Sequence, residues 1–245
     1  MNIGIDSFVE MTVTDPDEAG QLGAQRVEHL LEEIELADRV GIDVYGIGEH
    51  HRAEYVASSP AMLLAAAAAR TKNIRLASAV TVLSSDDPVR VFQDFATLDL
   101  ISKGRAEIVV GRGSFVESYP LFGFDLNNYD ELFAEKLDLL LELRENTRVE
   151  WEGKYRPSLH GEGVWPRPVQ SKLSVRLGVG GTPNSFARAG VLGLPLTVAI
   201  IGGEPHRFRA LVDLYRQTWK RAGHAGEPDV AVHGLGFVAD TNEQA

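Results

Sequence analysis

Short apolar runs alternate with longer segments of helical periodicity along the whole 245-residue chain, and this alternation predicts parallel βα units. The expected strands are Asn2 to Ser7, Ile42 to Ile47, Ile74 to Val82, Ala106 to Val110, Leu173 to Val179, Leu196 to Ile201 and Val230 to Val238. Between the first two, the spacing predicts a helix from Gln25 to Val40, with Val27, Leu30, Leu31, Ile34 and Ala37 on one apolar stripe and Gly41 as its stop. Ser59-Pro60 and Asp87-Pro88 each join an N-cap to an N1 proline, opening helices Ala61 to Arg70 and Pro88 to Ser102, the latter ended by Gly104. Asn128, with Glu131 three residues on, opens Tyr129 to Glu145. Thr182-Pro183 opens a helix to Leu192, and a last helix spans Pro205 to Ala222. Arg148 to Arg167 breaks the alternation and reads as an excursion between strands four and five, partly a β-hairpin.

Seven parallel-type strands with helical crossovers indicate a single α/β domain over residues 1–245, a TIM (β/α)8-type barrel truncated after the seventh strand, since closure needs eight. A doubly wound open sheet is the alternative. The formal charge of -11, from 24 Lys+Arg against 35 Asp+Glu, provides no basic field for nucleic acid or an anionic membrane. Zero cysteines excludes disulfides, thiolate catalysis and Cys-ligated metals. With no signal-peptide pattern at Met1 and no apolar run of about 18 residues, the chain reads as soluble and cytoplasmic.

In such folds chemistry sits where strands end in loops. The second strand runs into Gly48-Glu49-His50-His51-Arg52, an acid, two imidazoles and a base, a composition that suits acid/base work better than a plain solvated turn. A metal site would need three or four converging ligands, and adjacent histidines leaving a strand tend to point apart, so no metal is assigned. After strand four, Gly111-Arg112-Gly113 lets a ligand approach the backbone and offers planar donors to a phosphate; a glycine-rich turn with Arg112 in a surface ion pair fits these residues equally well. Gly180-Gly181-Thr182-Pro183-Asn184-Ser185 opens a helix whose free amides could cradle a phosphate, although many helices begin this way without a ligand. The small residues of Ser78-Ala79-Val80-Thr81 leave room for a flat ring, or are ordinary strand core.

Taken in order, Gly48-Glu49-His50-His51, Ser78 to Leu83 with Asp87 to Arg90, Leu100 to Arg105, Gly111-Arg112-Gly113, Leu121-Phe122-Gly123 and Gly180 to Pro183 through Gly193-Leu194-Pro195 resemble the bacterial luciferase-like flavin-dependent monooxygenases over essentially the whole chain. The resemblance implies a TIM barrel that binds FMN or, in some branches, the deazaflavin F420. It implies that His50 lies beside the flavin as acid or base, that Ala79-Val80 is a non-prolyl cis peptide under the ring, that Gly111 lies near the ring and Arg112 on the phosphate, and that Gly180, Gly181, Thr182 and Ser185 form the phosphate loop. It further implies O2 and a small organic substrate as reactants, a separate flavin reductase and a homodimer. The rival readings are F420-dependent hydride transfer and a flavin-binding protein without turnover, or a fragment of a longer enzyme. Gly111 stands where luciferase itself has a reactive cysteine, so light emission is not implied.

Overall fold

A computed structural model describes residues 1–12, 16–236 and 238–244. The chain forms two compact units, Met1–Ser174 and Val175–Ala245.

The first unit contains, in order, β1 (Gly4–Ser7), α1 (Ala19–Val40), β2 (Val44–Ile47), α2 (Pro60–Arg70), β3 (Arg75–Ser78), β4 (Thr81–Val82), α3 (Pro88–Ser102), β5 (Ala106–Gly111), α4 (Ser118–Leu121), α5 (Tyr129–Glu145) and the antiparallel pair β6 (Arg148–Trp151) and β7 (Leu159–Gly163). The strands β1-β2-β3-β5 pair in parallel, and β4 adds to β5. Ser7 pairs with Ile47 and Ile47 with Ser78, so three strands finish in register at one edge. The ladder runs one step into the loops, where the Gly48 amide donates to Ser7 O (3.0 Å) and the Ala79 amide to Ile47 O (2.7 Å).

The apolar stripe of α1 is buried as expected through Leu30, Leu31, Ile34 and Ala37, and Gly41 ends the helix in the left-handed region at φ 83°. The helix begins at Ala19, six residues before the expected Gln25. A 3-10 turn at Pro16–Glu18 leads into it. The Asp87 side chain caps α3 by accepting from the Val89 (2.8 Å) and Arg90 (3.3 Å) amides. Ser59, Asn128 and Thr182 occupy N-cap positions but their side chains make no cap bond, a correction to the capping expected of them. The third strand is not continuous from Ile74 to Val82. It splits into β3 and β4 around Ala79-Val80, whose peptide bond is cis.

Three polar side chains tie the ends of these elements together. Asp38 at the end of α1 accepts from the amides of Lys72, Asn73 and Ile74 at 2.7–3.0 Å, and these bonds hold its carboxyl below the usual range. Arg105 donates to the carbonyls of Ala68, Thr71, Ile74 and Ser102 and to the Thr71 hydroxyl. Asp99, fully buried in α3, accepts from the Ala106 amide (3.2 Å) and from the backbone (3.0 Å) and side-chain (2.6 Å) nitrogens of Gln170.

The second unit contains β8 (Ser174–Val179) from its second residue on, α6 (Pro183–Leu192), β9 (Leu196–Ile200), α7 (Arg209–Arg221) and β10 (Val230–Gly234), with β8-β9-β10 parallel. The expected last helix from Pro205 resolves into a 3-10 turn, Pro205–Phe208, followed by α7. The seventh strand ends at Gly234 rather than Val238; Phe237, within the expected span, lies outside the described residues. Phe186, Ala189, Leu194, Leu196, Val198 and Tyr215 form the core of this unit. At Gly190 the α7 backbone comes so close that a Cβ would lie 2.6 Å from Tyr215 O and 2.9 Å from Trp219 N. Only glycine permits this helix contact.

Candidate active site

The shared strand edge of the first unit gathers the residues singled out after strands two, three and four. The residues leaving β1, β2 and β3 are Phe8, Gly48-Glu49-His50 and Ala79-Val80, and β4 pairs Val82 with Gly111 on β5. Glycines make this approach feasible. A Cβ on Gly48 would lie 2.7 Å from Phe8 Cδ1, 3.1 Å from His50 Cε1 and 3.2 Å from Ala79 O, and one on Gly111 would lie 2.7 Å from Val80 Cγ2. Backbones and side chains here are closer than any residue with a Cβ allows.

His50 is buried, 8% exposed, inside three aromatic rings. Tyr55 stacks on it at 4.4 Å between centroids, and Phe8 and Phe115 meet it edge-on at 4.8 and 5.1 Å. Tyr55 is brought there by an antiparallel bridge to Glu10, with Val56 N donating to Val9 O and Met11 N to Glu54 O. Val9 leaves the strand at φ 54°, an uncommon conformation for a β-branched residue, with its amide donating to Ser7 Oγ. Burial holds the His50 imidazole below its ordinary 6.5, against the opposing pull of Glu10 and Glu49. Its Nδ1 is buried and makes no hydrogen bond within the chain. A neutral imidazole with one buried, unpaired nitrogen can take or give a proton at that atom.

Glu49 and His51 serve the loop. Glu49 Oε1 bonds His51 Nε2 at 2.8 Å and its Oε2 accepts from the Val82 amide at 2.9 Å. Arg52 pairs with Glu117, Nε to Oε1 2.6 Å, and lies 3.8 Å over the Phe115 ring. Arg112 pairs with Asp130 and lies 4.8 Å from the Tyr129 ring centroid, so the ion-pair reading of this arginine holds in the structure.

Sequence reasoning missed the rings of Phe8, Tyr55 and Phe115, which come from three separate segments and leave no spacing signal. It also missed Lys136. This lysine of α5 is 2% exposed, donates to Ser84 O at 2.7 Å and sits 3.6 Å over the Phe124 ring, and burial pushes its ammonium down to about 8. Nearby, burial pushes the Asp86 carboxyl up to about 6. Lys136 falls on the apolar stripe with Leu132, Leu139, Leu140 and Leu143, and a lone charge on such a stripe is a readable signal.

In the second unit Gly180, Gly181 and Thr182 are exposed between β8 and α6, with Ser185 half-buried in the first turn. Gly181 adopts φ 138°, and a Cβ on Gly180 would meet nothing within 4 Å. The loop before this ten-residue helix is therefore uncrowded, and within the first turn the Ser185 amide donates to Thr182 O (2.9 Å).

Comparison with known proteins identifies the family and fold. The N-acetyl-S-alkylcysteine monooxygenase of Bacillus subtilis is 30% identical over 231 residues, 92% of this chain and 66% of that protein. Monooxygenase RslO1 from Streptomyces bottropensis superposes with a TM-score of 0.88 at 24% identity, covering all of this chain and 74% of that one. The oxygenating constituent of 3,6-diketocamphane monooxygenase from Pseudomonas putida, solved in complex with FMN, superposes at 0.82 with 24% identity, covering all of this chain and 69% of that one. The chain spans a smaller part, 41% and 39%, of two uncharacterised Sinorhizobium fredii relatives. The fold class is thus the α/β, TIM-type barrel of these proteins, with seven parallel strands among the described residues when β3 and β4 count as one interrupted strand. The family model for luciferase-like monooxygenases matches residues 7–245, and the chain belongs to that family.

Proposed function

We propose that this protein binds FMN and, with reduced FMN and O2, oxidises a small organic substrate, with His50 as its acid/base. The observation that carries the reading is the buried His50 imidazole, held neutral by its aromatic surroundings, with Nδ1 unpaired. Reduced flavin, when bound, supplies the electrons that activate O2. The chain's own residues do the rest. Phe8, Tyr55 and Phe115 keep water from His50, and His50 Nδ1 holds or releases a proton. Ala79, Val80 and Gly111 provide a close-packed apolar surface suited to a flat ring. Gly180, Gly181, Thr182 and Ser185 suit a phosphate through the uncrowded glycine loop at the N-terminus of α6. In the first unit, Arg112 is a candidate phosphate donor in its own right. Its partner Asp130 is 75% exposed while Arg112 itself is half-buried, so the carboxylate can swing to solvent and leave the guanidinium to a phosphate.

A separate reductase would supply the reduced flavin, and the family resemblance favours a homodimer. No described helix is long and apolar enough to cross a membrane. Titration with FMN and with F420, followed by flavin fluorescence, tests the reading in the wild type and in Arg112→Ala. FMN is expected to bind, and about tenfold or more weakly to the variant. Binding of neither cofactor overturns the proposal, and binding of F420 alone replaces it with hydride transfer in which O2 takes no part.

A further inference from the structure

We infer that Glu49 is a positioning residue, whose carboxylate clasps the loop leaving β2 to β4 and thereby holds His50 in place. The inference rests on the acid/base assignment of His50 made above, but its test needs no flavin.

Both carboxylate oxygens are committed, Oε1 to His51 Nε2 (2.8 Å) and Oε2 to the Val82 amide (2.9 Å), and the Glu49 and His51 side chains are only 7% and 8% exposed. A charge-assisted bond between buried groups is held far more firmly than a surface pair. Val82 belongs to β4, which pairs with Val110 and Gly111 of β5. One carboxylate therefore links the three segments that carry His50, Ala79-Val80 and Gly111. Other anchors hold the loop on either side, the Gly48 amide on Ser7 O (3.0 Å), the His50 amide on Ala57 O (3.0 Å) and Arg52 on Glu117, but it is the Glu49 carboxylate that ties it to β4, and the imidazole itself is held by ring contacts.

The charged groups acting on His50 are Glu10 from the first segment and Glu49, His51 and Arg52 from its own loop, all of them secondary to burial. Two variants separate the tether from the charge. Val82→Pro removes the amide that Glu49 accepts while keeping the carboxylate, and Val82 already has φ -79°, within reach of proline. Glu49→Gln keeps an acceptor for that amide and removes the charge.

The experiment follows the His50 Cε1–H resonance by NMR against pH in the wild type and both variants, without cofactor. The wild-type midpoint is expected below 6.5. In Val82→Pro the loosened loop admits water and the midpoint rises toward 6.5, whereas in Glu49→Gln, which removes a charge that raises it, the midpoint falls below that of the wild type. A midpoint in Val82→Pro equal to the wild type overturns the inference, and so does a rise in Glu49→Gln. Should Val82→Pro fail to fold, hydrogen exchange of the His50 amide in Glu49→Ala carries the test. The expected result is exchange about tenfold faster or more, restored by Glu49→Gln, and unchanged exchange overturns the inference. Failure of the wild type to bind FMN would remove the proposed function and leave these readings intact.

Discussion

Lys136 Nζ donates to the Ser84 carbonyl at 2.7 Å while lying 3.6 Å over the Phe124 ring, which buries an ammonium with a carbonyl and a π face as its close partners. The residue pins the chain after β4 and the segment before α5 to one point on that helix. Its arrangement costs stability whenever the group is charged.

The Lys136 ammonium is pushed down to about 8 from 10.5, so between those values the unfolded chain holds more protons and stability rises with pH. The buried phenols of Tyr45, Tyr119 and Tyr215, all held above 10.0, act in the opposite sense above about pH 10. Urea unfolding between about pH 8 and about pH 10 should therefore show the wild type gaining on Lys136→Met. A difference that stays flat across this window would contradict the assignment.

Asp86 is raised to about 6 from 3.8, so its contribution is present at low pH and lost as pH rises through 6. Asp86→Asn keeps the acceptor for the Asp87 amide, bonded at 2.7 Å. It should stabilise the protein by about 1 kcal/mol near neutral pH and by little at about pH 4. Equal effects at both pH values in urea titrations would exclude this account.

Asp99→Ala strands the Ala106 and Gln170 amides, while the Gln170 side-chain nitrogen keeps its bond to Ala106 O (2.8 Å). A loss of about 3 kcal/mol or more is expected from chemical denaturation, with Asp99→Asn recovering part of it. A loss under about 1 kcal/mol would mean that these groups find other partners.

Phe115→Ala opens one wall of the His50 cage, and because burial is the main cause of the lowered imidazole, its NMR midpoint should rise toward 6.5. An unmoved midpoint would show that Phe8 and Tyr55 suffice to keep water out.

Gly190→Ala drives a methyl against Tyr215 O and Trp219 N, which are backbone atoms that cannot swing aside. The expected cost is about 2–3 kcal/mol. Thermal melts should show no rescue when Thr218→Ala is added, since removing that side chain clears only one of the three contacts.

Much of the fold was legible because burial writes itself into periodicity. The stripe of α1, the Asp87 cap and the apolar runs of β5 and β9 lie where the pattern placed them. The first turns of α1 were hidden because Gly20 and Gly23 read as loop, while in the helix they tolerate exposure. The break between β3 and β4 was invisible to composition, since Ala79 and Val80 are as apolar as their neighbours. At the candidate site, His50 announced itself by its place after a strand. Its aromatic surroundings did not, because Phe8, Tyr55 and Phe115 are neighbours only through the tertiary fold.

Arg105 takes on a further meaning in a chain without cysteine. By gathering carbonyls from the ends of α2 and α3 and from the entry to β3, it acts as a non-covalent cross-link between segments more than thirty residues apart. Such a link is indifferent to oxidants and reductants. Burial lowers the guanidinium's proton affinity, yet arginine stays charged throughout the physiological range, so this junction holds as the redox state or acidity of its surroundings changes.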